Sequence, residues 1–223
     1  MVGARIDLKS ADAPISPLVT AFAKALGKTL EELSPAALDF AAQAQDDWSA
    51  EELPGLDVAD VAGALADFWR FGESAKDVAE PAIRIRRADG GQTPSDLLEI
   101  VQIDRPFLVD SIMGEVTEAG FSVRAMFHPV SDLGGVRRSM IQIWLAPVGE
   151  DREDALVQAV RDVLGDVAMA VQDFEAMRGL MRRTIEELKS ASAPVSGDEK
   201  TEDMAFLDWL ERDHFVFLGA RIY

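Results

Sequence analysis

Asp104, Arg105, Phe107, Leu108, Asp110 and Ser111 stand together in one short run, Asp-Arg-Pro-Phe-Leu-Val-Asp-Ser. The run follows an apolar, strand-like stretch, Leu97 to Ile103, and opens a helix. Pro106 suits the first helical turn, where a missing N–H costs nothing. Asp104 falls at or beside the cap, with its carboxylate toward the positive end of the helix. A strand that feeds a helix N-terminus creates a small pocket of free amide donors suited to an anion. The amides of Phe107 and Leu108 would take the carboxylate of an amino acid, and Asp104 its ammonium, with Arg105 at the rim. Asp110 and Ser111 would face this pocket or a neighbouring subunit. The chemistry is that of holding a ligand, and none of these groups breaks bonds. An aromatic ring gains more by burial than by facing water. Phe107 is therefore expected to turn inward and fill the space, which favours a scaffold over a sensor.

Plainer readings stand beside these. Asp104 alone reads as a cap, Asp110 and Ser111 as a solvated or internally bonded pair, and Arg105 as a surface residue. His128 lies beside Pro129 late in a strand, with no second histidine, cysteine or paired acid at a ligand spacing, so no metal site is read. It remains a ligand-contact candidate and reads first as structural, as does His214. Arg84, Arg86 and Arg87, with Arg137 and Arg138, read as edge residues that block unwanted strand pairing. The aromatics Phe68, Trp69, Phe71 and Trp144 read as core or interface. No Gly-x-Gly-x-x-Gly follows a strand, so no dinucleotide site is expected in this chain. Phosphate-binding loops and nucleophile elbows are equally missing from the sequence. No catalytic residue is assigned.

Composition narrows the partners. The chain has 223 residues, 22 basic and 40 acidic side chains and a formal charge of −18. Such a surface repels nucleic acid and anionic membrane. There is no cysteine, which fits a reducing cytoplasm. Met1 to Ser10 lacks the apolar core of a signal peptide, and no run approaches the length of a membrane span.

The elements that must position the run can be read in order. Ser16-Pro17 starts a helix that stops at Gly27, and Ser34-Pro35 starts another. A third spans Asp57 to Phe71, with Gly72 after it. Ala82 to Arg87 alternates as a strand, with Ile83 and Ile85 on one side and Arg84 and Arg86 on the other. Leu97 to Ile103 is a second strand, and the Pro106 helix follows with Leu108, Val109, Ile112, Met113 and Val116 at spacings of three and four, closed by Gly120. Phe121, Val123, Ala125 and Phe127 alternate, Gly134-Gly135 marks a hairpin, and Met140 to Ala146 closes the pair. Asp151 to Leu164 is a helix. Gly165 tips Asp166 to Gln172 toward strand, and a long amphipathic helix runs from Phe174 to Ala191. Ser192 to Lys200 reads as linker, Glu202 to Arg212 as a short helix, and His214 to Tyr223 as a strand without a partner. A chain ending inside a strand is expected to belong to something longer. The pattern strand, helix, strand, strand, helix, strand is the ferredoxin-like βαββαβ unit, with one extra strand in front.

These residues resemble the N-terminal region of the large bacterial NAD-specific glutamate dehydrogenases. Pro106-Phe107-Leu108-Val109-Asp110-Ser111 is the strongest match, and His128-Pro129-Val130 follows at the family's spacing. Ala62-Gly63-Ala64-Leu65 with Phe68-Trp69-Arg70-Phe71 resembles the helix before the first strand. Phe206-Leu207, Trp209-Leu210, Phe215 to Gly219 and Tyr223 resemble the lead into the next domain. The resemblance covers roughly Val58 to Tyr223. It departs from the family at Arg105, where methionine is usual, and from ordinary ACT domains at Phe107, where glycine commonly makes room for the ligand. It implies an ACT-like domain that senses an amino acid or contacts other subunits, within a cytoplasmic homo-oligomer. The parent would use NAD to oxidise L-glutamate to 2-oxoglutarate and ammonia, with its catalytic domain elsewhere and no cofactor in this part. The reading is an α+β chain: a helical N-terminal segment over 1–79, an ACT-like domain over 80–192, and a linker, short helix and strand over 193–223. Its partners would be an amino-acid effector, the remaining domains of the parent and further copies through exposed sheet edges. The alternative is an oligomerisation scaffold without a ligand.

Overall fold

Two serines fix where the chain first becomes helical. The hydroxyl oxygen of Ser16 accepts from the Leu18 amide and that of Ser34 from the Ala37 amide, each followed by a proline. They start α1 (Pro17–Ala25) and α2 (Pro35–Asp47). Asp57 caps α3 (Val58–Ala75) by accepting from Ala59 and Asp60. The computed structural model describes residues 16–48, 53, 55–90, 93–190 and 197–211. It divides into two compact units, Met1–Asp104 with Ile112–Arg161 and Arg105–Ser111 with Asp162–Tyr223.

Within the first unit, α3 does not stop at Gly72 but runs to Ala75. The glycine is there for clearance. A Cβ at position 72 would lie 2.5 Å from Met140 Cε and 3.3 Å from Leu133 Cδ1, so a side chain here would push the ends of these two strand residues aside. Phe40 of α2 is fully buried, with its ring centroid 5.6 Å from Phe22, 6.0 Å from Phe68 and 5.2 Å from Trp69. These aromatics share one core with Leu97, Val101, Phe127 and Trp144 of the sheet. Phe68, Trp69 and Trp144 are core residues, as their types suggest.

Among the described residues the sheet has five strands: β1 (Ala82–Arg87), β2 (Asp96–Ile103), β3 (Val123–Phe127), β4 (Val130–Leu133) and β5 (Val136–Leu145). Every pairing is antiparallel, in the order β1-β2-β5-β3, and β4 also pairs with β5. β3 and β4 lie end to end along one side of β5, interrupted at His128 and Pro129. Pro129 has no N–H to give the ladder. The Gly134-Gly135 hairpin has φ of 66° and 82°, the pair of positive values a tight two-residue turn requires. Register sets Leu97, Glu99 and Val101 opposite Trp144, Gln142 and Met140 on the face toward α1 to α3. Leu98 and Ile100, opposite Ile143 and Ile141, point to the other face and are fully buried.

The architecture is ACT-like α+β, and one strand comes from an unexpected place. Asp166 to Gln172 is not a strand. It is the last part of α5, Glu150–Gln172, which passes Gly165 without a break. A Cβ at Gly165 would meet nothing within 4 Å, so this glycine imposes no turn. The place beside β2 that a final strand would fill in the βαββαβ order is held by β1.

Helix α4 is Leu108–Glu118, two residues later than Pro106 suggested, and Gly120 follows it at φ 78°. Leu108, Ile112 and Val116 are buried, whereas Val109 is only half-buried. In the second unit α6 (Phe174–Ser190) and α7 (Gly197–Trp209) follow. α7 begins inside the stretch read as linker. Arg178 and Arg182 both donate to Glu211 Oε1 at 2.8 Å, and these bonds, Arg182 first, hold that carboxyl below its ordinary range. The strand expected over His214 to Tyr223, and His214 itself, lie outside the described residues.

Candidate functional site

Asp104 is the end of a sheet ladder, not a helix cap. Its amide donates to the Arg137 carbonyl at 3.0 Å, one step beyond the Ile103–Arg138 pair. Its carboxylate is already engaged on both oxygens. Arg137 Nε donates to Oδ2 at 2.8 Å and the Ser139 hydroxyl donates to Oδ1 at 2.7 Å. Arg137 is therefore a partner of Asp104 and not an edge guard.

Ser139 links Asp104 to His128, whose Nε2 lies 3.1 Å from Ser139 Oγ. The Ser139 proton goes to Asp104, so Nε2 carries the hydrogen and Nδ1 is the acceptor in the neutral ring. A hydrolytic triad needs histidine between serine and aspartate. Here serine stands in the middle and is fully buried, so the set is structural. The backbone N–H of His128 donates to Asp47 Oδ2 at 2.9 Å. One residue pair further on, Gln43 of α2 takes the Val130 amide at 2.9 Å and gives to its carbonyl at 3.0 Å. Helix α2 thus occupies backbone groups at the junction between β3 and β4.

Burial pushes the His128 imidazole below its ordinary value, and the Asp104 and Asp47 carboxylates restore only part of it. The unfolded chain then binds a proton near pH 6.5 that the folded protein binds only at lower pH. Stability is therefore lost as pH falls through that value toward the folded pKa. The urea midpoint of the wild type is expected to drop between about pH 7.5 and about pH 5.5, and His128→Gln to drop less. Equal drops in the two proteins would refute the assignment.

Arg105, Phe107, Leu108, Asp110 and Ser111 belong to the second unit. Leu108 is buried and Arg105 half-buried. Phe107 is not turned inward: it is 40% exposed and has φ of 67°. A non-glycine residue in that region stores roughly 1–3 kcal/mol. Phe107, Asp110 and Ser111 form one wall of a groove of about 460 Å³. Val163, Asp166, Val167 and Ala170 of α5 form the other. Their i, i+3, i+4, i+7 spacing was present in the sequence and favours helix over strand at this point.

The family description "Glutamate dehydrogenase, ACT1 domain" matches residues 40–165. The chain belongs to this family. The matched span of the ACT1 domain starts in α2 and ends in α5, so it includes the Asp104 network, Phe107 and only the first residue of the α5 stripe. The NAD-specific glutamate dehydrogenase of Pseudomonas aeruginosa is 29% identical over 91% of this chain, which covers 14% of that protein. That of Halomonas elongata is 29% identical over 78% of this chain and 12% of its own length. The chain thus spans about one-seventh or less of the curated relatives it matches.

The sequence did not reveal Ser139, nor the Glu99 cluster. Arg84 and Arg86, read as edge guards, donate instead to Glu99 at 2.5 and 3.2 Å. Cross-strand register sets these partners, and no local pattern announces register. Among the described residues no three His, Cys, Asp or Glu side chains gather to hold a metal, and no helix is long and apolar enough to cross a membrane.

Proposed function

We propose that this ACT1 region serves a longer NAD-specific glutamate dehydrogenase as a contact module without catalysis, docking other parts of the assembled, homo-oligomeric enzyme. The parent would oxidise L-glutamate with NAD, a reading its relatives' names support, and would do so in the cytoplasm. One observation favours contact over amino-acid sensing. Both oxygens of Asp104, the carboxylate a bound ammonium would need, are taken by Arg137 and Ser139. The exposed ring of Phe107 points the same way, because exposed aromatics are typical anchors of interfaces.

Calorimetric titration with a panel of amino acids is expected to give no saturable heat. Saturable binding that Asp104→Ala weakens would overturn this reading in favour of a sensor.

A further inference from the structure

The groove between the start of α4 and the end of α5 is lined by apolar side chains together with the carboxylates of Asp110 and Asp166. Phe107 stands on one wall and Val163, Val167 and Ala170 on the other. Asp110 and Asp166 lie on opposite walls, and both are exposed. The α5 residues form a single stripe at the i, i+3, i+4, i+7 spacing, a helix face that a second helix can pack along. Phe107 keeps its ring in the groove at the cost of a left-handed backbone. Strain of this kind persists where the surrounding structure enforces it and clusters at sites of binding.

We propose that this groove receives a basic amphipathic helix, with an apolar stripe seated against Phe107, Val163 and Val167 and with lysines or arginines on both flanks facing Asp110 and Asp166. The inference rests on the contact-module reading and names the chemistry of the partner. Charge selects this occupant. A second copy of the chain would bring another formal charge of −18 to an acidic rim. A flanking pair of cations instead meets one carboxylate on each wall, while the stripe excludes water from the ring.

The test uses fluorescence anisotropy with the 223-residue chain. The probe is a labelled Leu/Lys helical peptide with leucines at the i, i+3, i+4, i+7 spacing. Its scrambled isomer and a Leu/Glu counterpart are the comparisons. The wild type is expected to bind the Leu/Lys helix saturably and at least about tenfold tighter than the scrambled isomer, which carries the same charge. Phe107→Asn removes the ring while keeping a residue that tolerates the left-handed backbone, and leaves the charge unchanged. It is expected to weaken binding about tenfold. Asp110→Lys with Asp166→Lys, both at exposed positions, is expected to shift preference to the Leu/Glu helix.

Equal binding of the ordered and scrambled peptides would overturn the proposal, as would unchanged affinity in Phe107→Asn or no change of preference in the double variant. Sedimentation showing that wild type self-associates and Phe107→Asn does not would assign the groove to a second copy, and the proposal would fall. The two readings fail separately: saturable amino-acid binding dependent on Asp104 removes the contact module, whereas peptide indifference without amino-acid binding removes only the helix.

Discussion

Glu99→Ala is expected to cost about 3–5 kcal/mol, the range for breaking a buried ion pair from one side. The Glu99 side chain is fully buried in β2. Arg84 Nε approaches Oε2 at 2.5 Å, while Arg86 Nε and Gln142 Nε2 reach Oε1 at 3.2 and 2.8 Å. The same groups reach α3: Arg84 donates to the Asp67 carbonyl, and Arg86 and Gln142 donate to that of Ala64. Arg84 also lies over the Phe71 ring at 4.3 Å. Removing the carboxylate leaves an amide and two cations facing one another, with the Arg84 side chain 33% and the Arg86 side chain 18% exposed. The loss measured by urea unfolding would be mostly this uncompensated charge. Replacing Glu99, Arg84 and Arg86 together by leucine and methionines should therefore recover most of it, since apolar substitutes for a buried ionic cluster are often neutral or stabilising. A single-variant loss below about 1 kcal/mol would show that the cluster is open to water.

The second large effect lies on α4. Ile112 and Val116 are fully buried, and Ile112→Ala is expected to destabilise by about 2–5 kcal/mol through lost transfer energy and the cavity left behind. Val109, half-buried one turn earlier, serves as the internal comparison and should lose distinctly less on truncation to alanine. If denaturation gave Ile112→Ala a loss below about 0.5 kcal/mol, or ranked Val109 above it, the buried face of this helix would be assigned wrongly.

Both effects concern residues whose roles were unequally legible. The face of α4 follows from spacing alone, because a helix repeats within a few residues and its apolar stripe is written locally. The same holds for the caps at Ser16 and Ser34, the alternation of β1 and the paired glycines at 134 and 135. Glu99 reads as an exception in an apolar strand, and nothing nearby says that Arg84 will stand opposite it and Arg86 diagonal to it. Asp104 was misplaced for a related reason: strand-then-helix suggests a cap, but the ladder with β5 runs one residue further and Arg137 and Ser139 reach it first. Gly72 and Gly165 show how one residue type carries different messages. Gly72 makes room for the sheet and Gly165 does nothing that a neighbour requires, yet each looked like punctuation. Phe107 escaped because its backbone conformation, not its hydrophobicity, decides where the ring goes.

The position of β1 gives the sheet the connectivity of a circular permutation: the strand that would close the βαββαβ order at its end is supplied ahead of its beginning. Translation is directional, and domains form from the N-terminal side as the chain emerges. Every described strand of this sheet has been synthesised once β5 ends at Leu145. The outer neighbour of β2, the strand β1, therefore precedes it in the chain and covers an edge that would otherwise be bare. No strand is then required of Asp166 to Gln172, which continue α5 as helix.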